Sequence, residues 1–155
     1  MKSKKIYFLI SAAIIIFDQF TKQMIVNNIM PYEAIYVLPF FNIVNVANKG
    51  AAFGSMQFMG NPFFIVISLI AIAAVIYLLI KGIEDPLALS FILGGAIGNL
   101  IDRLRFGFVV DFLDVFIGRY HWPAFNVADS FLTIGIFLIL LTNVLSFRKS
   151  ASQSD

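Results

Sequence analysis

Four long apolar stretches alternate with polar segments along this chain, over residues 6–26, 63–80, 86–105 and 127–147. A helix rises about 1.5 Å per residue, so about 20 residues cross the ~30 Å hydrocarbon layer of a membrane. Asp18 and Lys22 interrupt the first stretch, whereas the second contains no charged residue. The pattern predicts four transmembrane helices in one membrane domain that covers residues 1–155.

Composition agrees with this interpretation, since 60% of the residues are apolar and 13% are charged. An ordinary soluble domain carries about twice that charged fraction. The basic start followed by an apolar run is similar to a signal peptide, but no Ala-x-Ala-type cleavage site follows and apolar residues continue to Val26. We therefore expect an integral membrane protein that keeps its first span.

The cations of the short loops predict the orientation of the spans. One side of the four-span arrangement carries Lys2, Lys4, Lys5, Lys81, Arg148 and Lys149, whereas the other carries Lys49, Arg103, Arg105 and Arg119. Because Lys and Arg are enriched in cytoplasmic loops, both termini are predicted to be cytoplasmic. Loops 27–61 and 106–125 are then extracytoplasmic.

These two outer loops carry different local signals. Residues 35–38 and 41–46 are rich in β-branched and aromatic side chains, which favours short strands before a turn at residues 48–50. Residues 109–116 suit either a short interfacial helix with aromatic anchors or a strand, and Asp114 faces solvent if this segment is helical. We expect a small sheet at the membrane surface.

Several functional classes are excluded by charge and composition. A net charge of +2, with no basic run among aromatic residues, gives no basis for nucleic-acid binding, so the partner is expected to be lipid-borne. The absence of cysteine excludes disulfides, thiolate nucleophiles and sulfur-ligated metals. The single histidine, His121, follows Tyr120 and precedes Trp122, which is typical of an interfacial packing residue rather than of a metal ligand. No metal or cofactor is predicted.

Polar residues that are scattered in the sequence fall at one depth of the predicted bundle. Asp18 lies about 20 Å into the first span, and residues 99–103 lie about 20–25 Å into the third. Asn126 and Asp129 occupy the first turns of the fourth helix, which runs inward from the same side. The sequence therefore predicts one polar cluster near the outer face, beside which the outer loops place Asn48 and Asp111.

Two aspartates of this cluster, Asp111 and Asp129, are flanked by apolar neighbours where the chain meets water. A carboxylate in such a place is costly unless it is paired, protonated or in use. In one shared site they would not both ionise easily, so one would hold a proton while the other remained basic. This arrangement predicts acid/base chemistry, such as hydrolysis of a molecule embedded in the outer leaflet.

Several members of the cluster also have simpler interpretations. Asp18 and Lys22, four residues apart, either form an ion pair that locks the first helix or support the site. Arg103 either organises the carboxylates or anchors the helix at the interface. Asn126 either caps the fourth helix or belongs to the site, and residues 48–50 either form an ordinary turn or reach the site.

The residues alone also leave two other functional classes open. A proton-coupled carrier uses intramembrane Asp and Asn residues, but it spreads polar groups across the membrane, and residues 63–80 carry no charge. A structural subunit would use its acidic residues to pair with a partner, so Asp-to-Asn changes would disturb assembly. The predicted cluster favours a hydrolase modestly over a carrier.

Five segments in this order resemble the bacterial lipoprotein signal peptidase (signal peptidase II) family, and the match covers nearly the whole chain. They are residues 18–22 (DQFTK), 48–53 (NKGAAF), 94–103 (GGAIGNLIDR), 109–112 (VVDF) and 125–130 (FNVADS). Each motif is weak alone, but jointly they are specific. The resemblance implies four transmembrane helices, an extracytoplasmic β-cradle and a short interfacial helix over the site.

The resemblance also implies an activity, an aspartyl endopeptidase of the bacterial inner membrane. Its substrates would be lipid-modified prolipoproteins, cut just before the lipidated cysteine, and globomycin-type inhibitors would bind it. Asp111 and Asp129 match the catalytic dyad. The positions that match or accompany the supporting residues are Asp18, Lys22, Asn48, Gly50, Asn99, Asp102, Arg103 and Asn126. We expect a monomer that contacts membrane lipids and needs no cofactor.

Overall fold

Four long helices and a small antiparallel sheet make up the described part of the chain. The computed structural model describes residues 4–50 and 59–152, with side chains described as far as residue 147. The helices are α1 (Lys5–Asn28), α2 (Gly60–Lys81), α3 (Pro86–Phe106) and α4 (Val127–Ser152), and the strands are β1 (Ala34–Leu38), β2 (Phe41–Asn48), β3 (Val109–Ile117) and β4 (Tyr120–His121). The predicted fold class, a membrane all-α protein with a small β element, is confirmed.

Helix α3 is the centre of the bundle. All four helices are long and apolar enough to cross a membrane. In the most apolar 18-residue segment of α3, 50% of the residues are buried inside the protein. The corresponding fractions for α1, α2 and α4 are 22, 11 and 6%. Since α3 packs against each of the other three helices, polar side chains on it can meet groups from several elements.

Two glycines let α3 approach its neighbours closely. A Cβ atom at Gly95 would lie 2.4 Å from the carbonyl oxygen of Ala128 in α4. A Cβ atom at Gly98 would lie 2.6 Å from Oδ2 of Asp18 in α1. Both distances are shorter than any ordinary contact, so only glycine fits where the three helices converge.

The sheet has the strand order β1-β2-β3-β4, with every neighbouring pair antiparallel. Strands β1 and β2 correspond to the two predicted from the sequence. In the β2–β3 pair Val46 lies opposite Asp111 and Asn48 opposite Val109, with a bulge between Ile43 and Val46. The sheet therefore brings Asn48 beside the Asp111 strand.

Residues 109–117 form a strand, so the structure decides between the two alternatives that the sequence left open for residues 109–116 and excludes the helical one. The physical reason is that β2 is available on one side, and Leu113 also forms an isolated bridge with Phe125 on the other. Asp114 consequently does not face solvent and is only 8% exposed. Two predictions involve residues outside the described ones. Lys2 is one of the cations used to predict the orientation, and residues 51–53 are the second half of the motif at residues 48–53.

The two ends of the bundle have different interiors. Near the short turn between α2 and α3, the buried residues form an apolar cluster of Val75, Leu79, Leu89 and Leu93. At the other end, beside the sheet, the buried side chains include Asp18, Lys22, Asp102, Asp111 and Asn126. The polar residues thus gather at one end, as their depths along the spans predict.

Candidate active site

The first turn of α4 is closed by a reciprocal pair of hydrogen bonds between Asn126 and Asp129. The backbone N–H of Asp129 donates to Oδ1 of Asn126 at 2.9 Å, and the backbone N–H of Asn126 donates to Oδ2 of Asp129 at 3.3 Å. This is a capping box, which satisfies two otherwise unpaired donors at a helix start. It fixes the Asp129 carboxylate against the N-terminus of the helix.

The amide of Asn126 also reaches Asp111, so both interpretations of this residue apply. Its Nδ2 donates to Oδ1 of Asp111 at 2.7 Å. The other oxygen of Asp111 accepts from Nδ2 of Asn48 at 2.8 Å, and the Gly50 N–H donates to Oδ1 of Asn48 at 3.0 Å. Residues 48–50 therefore form a turn that also orients a donor toward Asp111, whose exposed fraction is 1%.

A second amide, that of Asn99 on α3, completes the connection between the two aspartates. Its Nδ2 donates to Oδ1 of Asp129 at 2.7 Å. Its Oδ1 accepts from Asn126 at 3.2 Å and from the Lys22 ammonium at 2.9 Å. Asp111 and Asp129 are thus joined through two asparagine side chains, and the carboxylate oxygens of both accept hydrogen bonds.

Lys22 lies at the centre of the buried charges. Its Nζ is 2.9 Å from Oδ2 of Asp18 and 3.0 Å from Oδ2 of Asp102, and its side chain is 2% exposed. The pair with Asp18 is the one that the four-residue spacing indicates. Asp102, which is next to Arg103 in sequence, pairs across the helix interface with Lys22 instead.

The environment of Asp111 favours its protonated form. Its pKa is raised from the usual 3.8 to about 7, first because burial disfavours the charged form and then because Asp129 is a nearby negative charge. Hydrogen bonds from Asn48 and Asn126 and the positive charge of Lys22 act in the opposite direction. A carboxyl group in this state can hold a proton near neutral pH.

Arg103 lies beside this network without a hydrogen bond to its members among the described residues. Its guanidinium group is centred 4.5 Å from the Phe64 ring, and its buried Nη1 has no hydrogen-bond partner within residues 4–50 and 59–152. Asp111 and Asp129 are among the charges that act on it most strongly. The structure therefore gives Arg103 a cation–π contact and, as far as the described residues go, a buried donor without a partner that is subject to the negative charge of the two carboxylates.

Gln19 belongs to the same network, although sequence reasoning missed it. Its Nε2 lies within hydrogen-bond distance of Asp102 Oδ1 at 2.9 Å, of the Gly98 carbonyl at 3.1 Å and of Asp18 Oδ2 at 3.2 Å. The available signal was its position between Asp18 and Lys22, but adjacency on a helix normally directs side chains to different faces.

A separate polar group lies on the strands away from this site. Nδ1 of His121 is 2.8 Å from Oδ1 of Asp114, while Asn42 Nδ2 donates to Oδ2 of Asp114 at 3.0 Å. The imidazole also stacks on Phe116, with ring centres 4.8 Å apart. His121 therefore packs and pairs at the sheet. Within residues 4–50 and 59–152, no group of three or more His, Asp or Glu side chains is arranged to hold a metal ion.

Comparisons with known proteins agree on one family. The family model for signal peptidase (SPase) II, Peptidase A8, matches residues 10–145. The lipoprotein signal peptidase of Syntrophus aciditrophicus is 45% identical over 164 residues, covering 98% of this chain and 100% of that protein. That of Thermodesulfovibrio yellowstonii is 43% identical over 131 residues, covering 84% of this chain and 89% of that protein.

Two solved structures have a similar fold. A bacterial membrane enzyme determined by the in meso method at 2.3 Å has a TM-score of 0.81 and 38% identity, covering 97% of this chain and 92% of that one. A second, determined at 1.9 Å, has a TM-score of 0.79 and 39% identity, covering 89% of this chain and 92% of that one. The resemblance seen in the motifs is confirmed, and the chain belongs to the signal peptidase II family of aspartyl peptidases.

Proposed function

We propose that this membrane protein is the aspartic endopeptidase that removes the signal peptide from diacylglyceryl-modified bacterial prolipoproteins. Cleavage would occur just before the lipidated cysteine. Support comes from the family, whose similar members are named lipoprotein signal peptidase. Further support comes from the site itself, where two linked carboxylates lie at the polar end of a bundle of apolar helices.

The observation that carries the proposal is the connection of Asp111 and Asp129 through Asn126. One asparagine side chain donates to Asp111 and caps the helix turn that holds Asp129. Two carboxyl groups held in one buried site share a proton, because both cannot ionise easily. The raised pKa of Asp111 is consistent with a proton that stays in the pair near neutral pH.

In the proposed mechanism, the ionised member of the pair takes a proton from a water molecule that attacks the scissile carbonyl carbon. The protonated member donates a hydrogen bond to the carbonyl oxygen and then helps the amine to leave. The proton belongs to the pair rather than to one residue, since strongly coupled carboxyl groups titrate together. No metal is required for this chemistry.

The membrane setting accounts for the choice of a lipidated substrate. Apolar side chains are exposed along the four helices, including Ile16, Val66, Leu104 and Phe137, and in a bilayer they would face acyl chains. A substrate whose diacylglyceryl group stays in the bilayer would be held at the depth of the dyad, which reduces the entropic cost of alignment. We propose cytoplasmic termini, a site near the extracytoplasmic face, a monomeric enzyme and binding of globomycin-type inhibitors.

The test is cleavage of a diacylglyceryl-modified prolipoprotein by the purified protein in lipid. Mass spectrometry of the products gives the bond that is cut, and an unlipidated copy of the same substrate is the control. We expect cleavage directly before the modified cysteine and little turnover of the control. Absence of cleavage by well-folded protein would contradict the proposal, and proton-flux assays would then examine a carrier function.

A further inference from the structure

The ammonium group of Lys22 has a complete set of partners. Asp18 Oδ2, Asn99 Oδ1 and Asp102 Oδ2 lie 2.9, 2.9 and 3.0 Å from its Nζ. An ammonium group has three donor hydrogens, so each has one acceptor. Because the side chain is 2% exposed, water does not replace any of these contacts, and Lys22 directly links α1 to α3.

Asp18 carries this link onward to α4. While its Oδ2 faces Lys22, its Oδ1 accepts the backbone N–H of Ala128 at 2.9 Å. Ala128 immediately precedes Asp129, is fully buried, and lies in the first turn of the helix, where backbone N–H groups lack helical partners. An anion is stabilised at such a position. The start of α4, and with it Asp129, is therefore fastened to α1.

Asp102 carries the link to the sheet in the same way. Its Oδ2 accepts the backbone N–H of Val110 at 3.0 Å, and its Oδ1 accepts from Gln19 at 2.9 Å. Val110 immediately precedes Asp111 and is 1% exposed. The strand that carries Asp111 is therefore fastened to α3 at the residue next to it.

From these contacts we propose that Lys22 is a positioning residue of the peptidase. Together with Asp18 and Asp102 it forms a buried positioning clamp that fixes the backbone of β3 relative to the start of α4. The clamp thereby sets the separation of the Asp111 and Asp129 carboxyl groups. This inference rests on the proposed function, because it assigns the clamp a role in that dyad.

The positive charge of Lys22 is essential to the clamp for an electrostatic reason. Without it, the two buried carboxylates would repel each other as uncompensated charges, and the repulsion would move them apart. That movement would weaken the hydrogen bonds that they accept from the backbone N–H groups of Ala128 and Val110. Lys22 also donates to the oxygen of the Asn99 amide, which directs the nitrogen of that amide toward Asp129.

The test compares Lys22→Met with Lys22→Arg and with a matched control, Gln23→Met, at the neighbouring half-buried position of α1, whose side chain contacts Asn27 and Arg105 and no member of the clamp. Because small misplacements of catalytic groups cost large factors in rate, we expect Lys22→Met to lower kcat about 100-fold and to change KM by less than about twofold. Lys22→Arg keeps the charge and should recover part of kcat. Gln23→Met should behave as wild type.

Amide hydrogen exchange gives a measurement that is independent of activity. In Lys22→Met the N–H groups of Val110 and Ala128 should exchange faster, while those of Leu89 and Leu93 in the apolar cluster keep their protection. A general loss of stability would instead speed exchange throughout the bundle. Wild-type kcat in folded Lys22→Met, unchanged exchange at both amides, or a uniform loss of protection would each overturn the clamp.

Two further variants decide the question if Lys22→Met does not fold. We expect Asp102→Asn to speed exchange mainly at Val110 and Asp18→Asn mainly at Ala128, each with a lowered kcat. Equal effects at both amides, or unchanged kcat in both variants, would overturn the clamp. Failure of the wild-type protein to cleave lipidated substrate would reject the proposed function instead, so the two failures are distinguishable.

Discussion

The two ends of the helix bundle bury different kinds of side chain. Near the α2–α3 turn, Leu79, Leu89 and Leu93 pack with exposed fractions of 1–2% and make no directional contacts. Near the sheet, Asp18 and Asp102 are equally buried, but each has specific hydrogen-bond partners. Both ends are closely packed, so the difference lies in the directionality of the contacts.

This difference indicates which end of the bundle contributes to stability and which to activity. Apolar packing tolerates substitutions that keep the volume, and its loss lowers stability without changing chemistry. A buried ion network is a weak source of stability, because desolvation offsets the attraction, but removal of one member leaves an uncompensated charge. The polar end is therefore expected to determine activity, and the apolar end to determine stability.

Among the supporting residues, Asn126→Ala is expected to reduce cleavage as strongly as Lys22→Met. This change removes the donor to Asp111 and the cap of α4 together, so we expect a loss of about 100-fold in kcat and about 1–2 kcal/mol in the free energy of unfolding. Kinetics and thermal unfolding in detergent measure both. Thr142→Ala, at an exposed position toward the other end of α4, is the control. Unchanged kcat in Asn126→Ala would show that the polar end does not control activity.

A smaller effect is expected from pH. Above about pH 7 the pair loses its shared proton, so kcat/KM should fall about tenfold per pH unit.

Since the folded-state pKa of Asp111 lies above its usual 3.8, its contribution to stability is complete below pH 3.8 and is lost as the pH rises through about 7. Asp111→Asn should therefore unfold at a higher temperature than wild type at about pH 8 but not near pH 4. Flat profiles across this range would contradict the raised pKa.

A matched pair of glycine substitutions compares the two ends directly. A Cβ atom at Gly98 would lie 2.6 Å from Asp18 Oδ2, and one at Gly135 would lie 2.7 Å from the carbonyl oxygen of Ala88. Both Gly→Ala changes should lower the free energy of unfolding by about 1–3 kcal/mol. Only Gly98→Ala displaces a carboxylate of the polar network, so only it should lower kcat, by about tenfold. Equal kcat in the two variants would remove the distinction between the ends.

The smallest effect on cleavage is expected for Leu89→Ala in the apolar cluster. The cavity should lower the free energy of unfolding by about 2–5 kcal/mol. At a temperature where the variant remains folded, kcat should stay within about twofold of wild type, because rate depends on the placement of the reacting groups. Both quantities can be measured on the same preparations. A large loss of kcat would show that packing in the apolar cluster affects the placement of the catalytic groups.

Much of the fold was predictable because it depends on hydrophobic pattern. The four spans, strands β1 and β2, and the common depth of Asp18, Asn99 and Asp129 follow from residue spacing and helix geometry. Strand β3 was not predictable, since its residues suit a helix or a strand and the choice depends on pairing with β2. Asp114 lies on β3 opposite Asn42 of β2, so its burial also depends on this pairing and was not predictable.

Most residues of the hydrogen-bonded polar network were predicted to lie together, but the connections between them were not. Asn126 had two competing interpretations, and the structure combines them because the amide oxygen caps the helix while the nitrogen reaches Asp111. The only signal for Gln19 was its position between Asp18 and Lys22, and the backbone contacts of Asp18 and Asp102 had none, since all of these contacts depend on how three helices and a strand meet. The local periodicity of the sequence does not predict tertiary contacts of this kind.

The most direct test of the account compares cleavage of lipidated prolipoprotein by wild type, Asp111→Asn and Asp129→Asn, with Asp114→Asn as a control on the same strand. If Asp111 and Asp129 transfer the protons, the cleavage rate of each variant should be lower than that of wild type by a factor of about 10²–10⁴, while the protein remains folded in the membrane. Asp114→Asn should retain activity. Efficient turnover by either Asp111→Asn or Asp129→Asn would contradict the dyad.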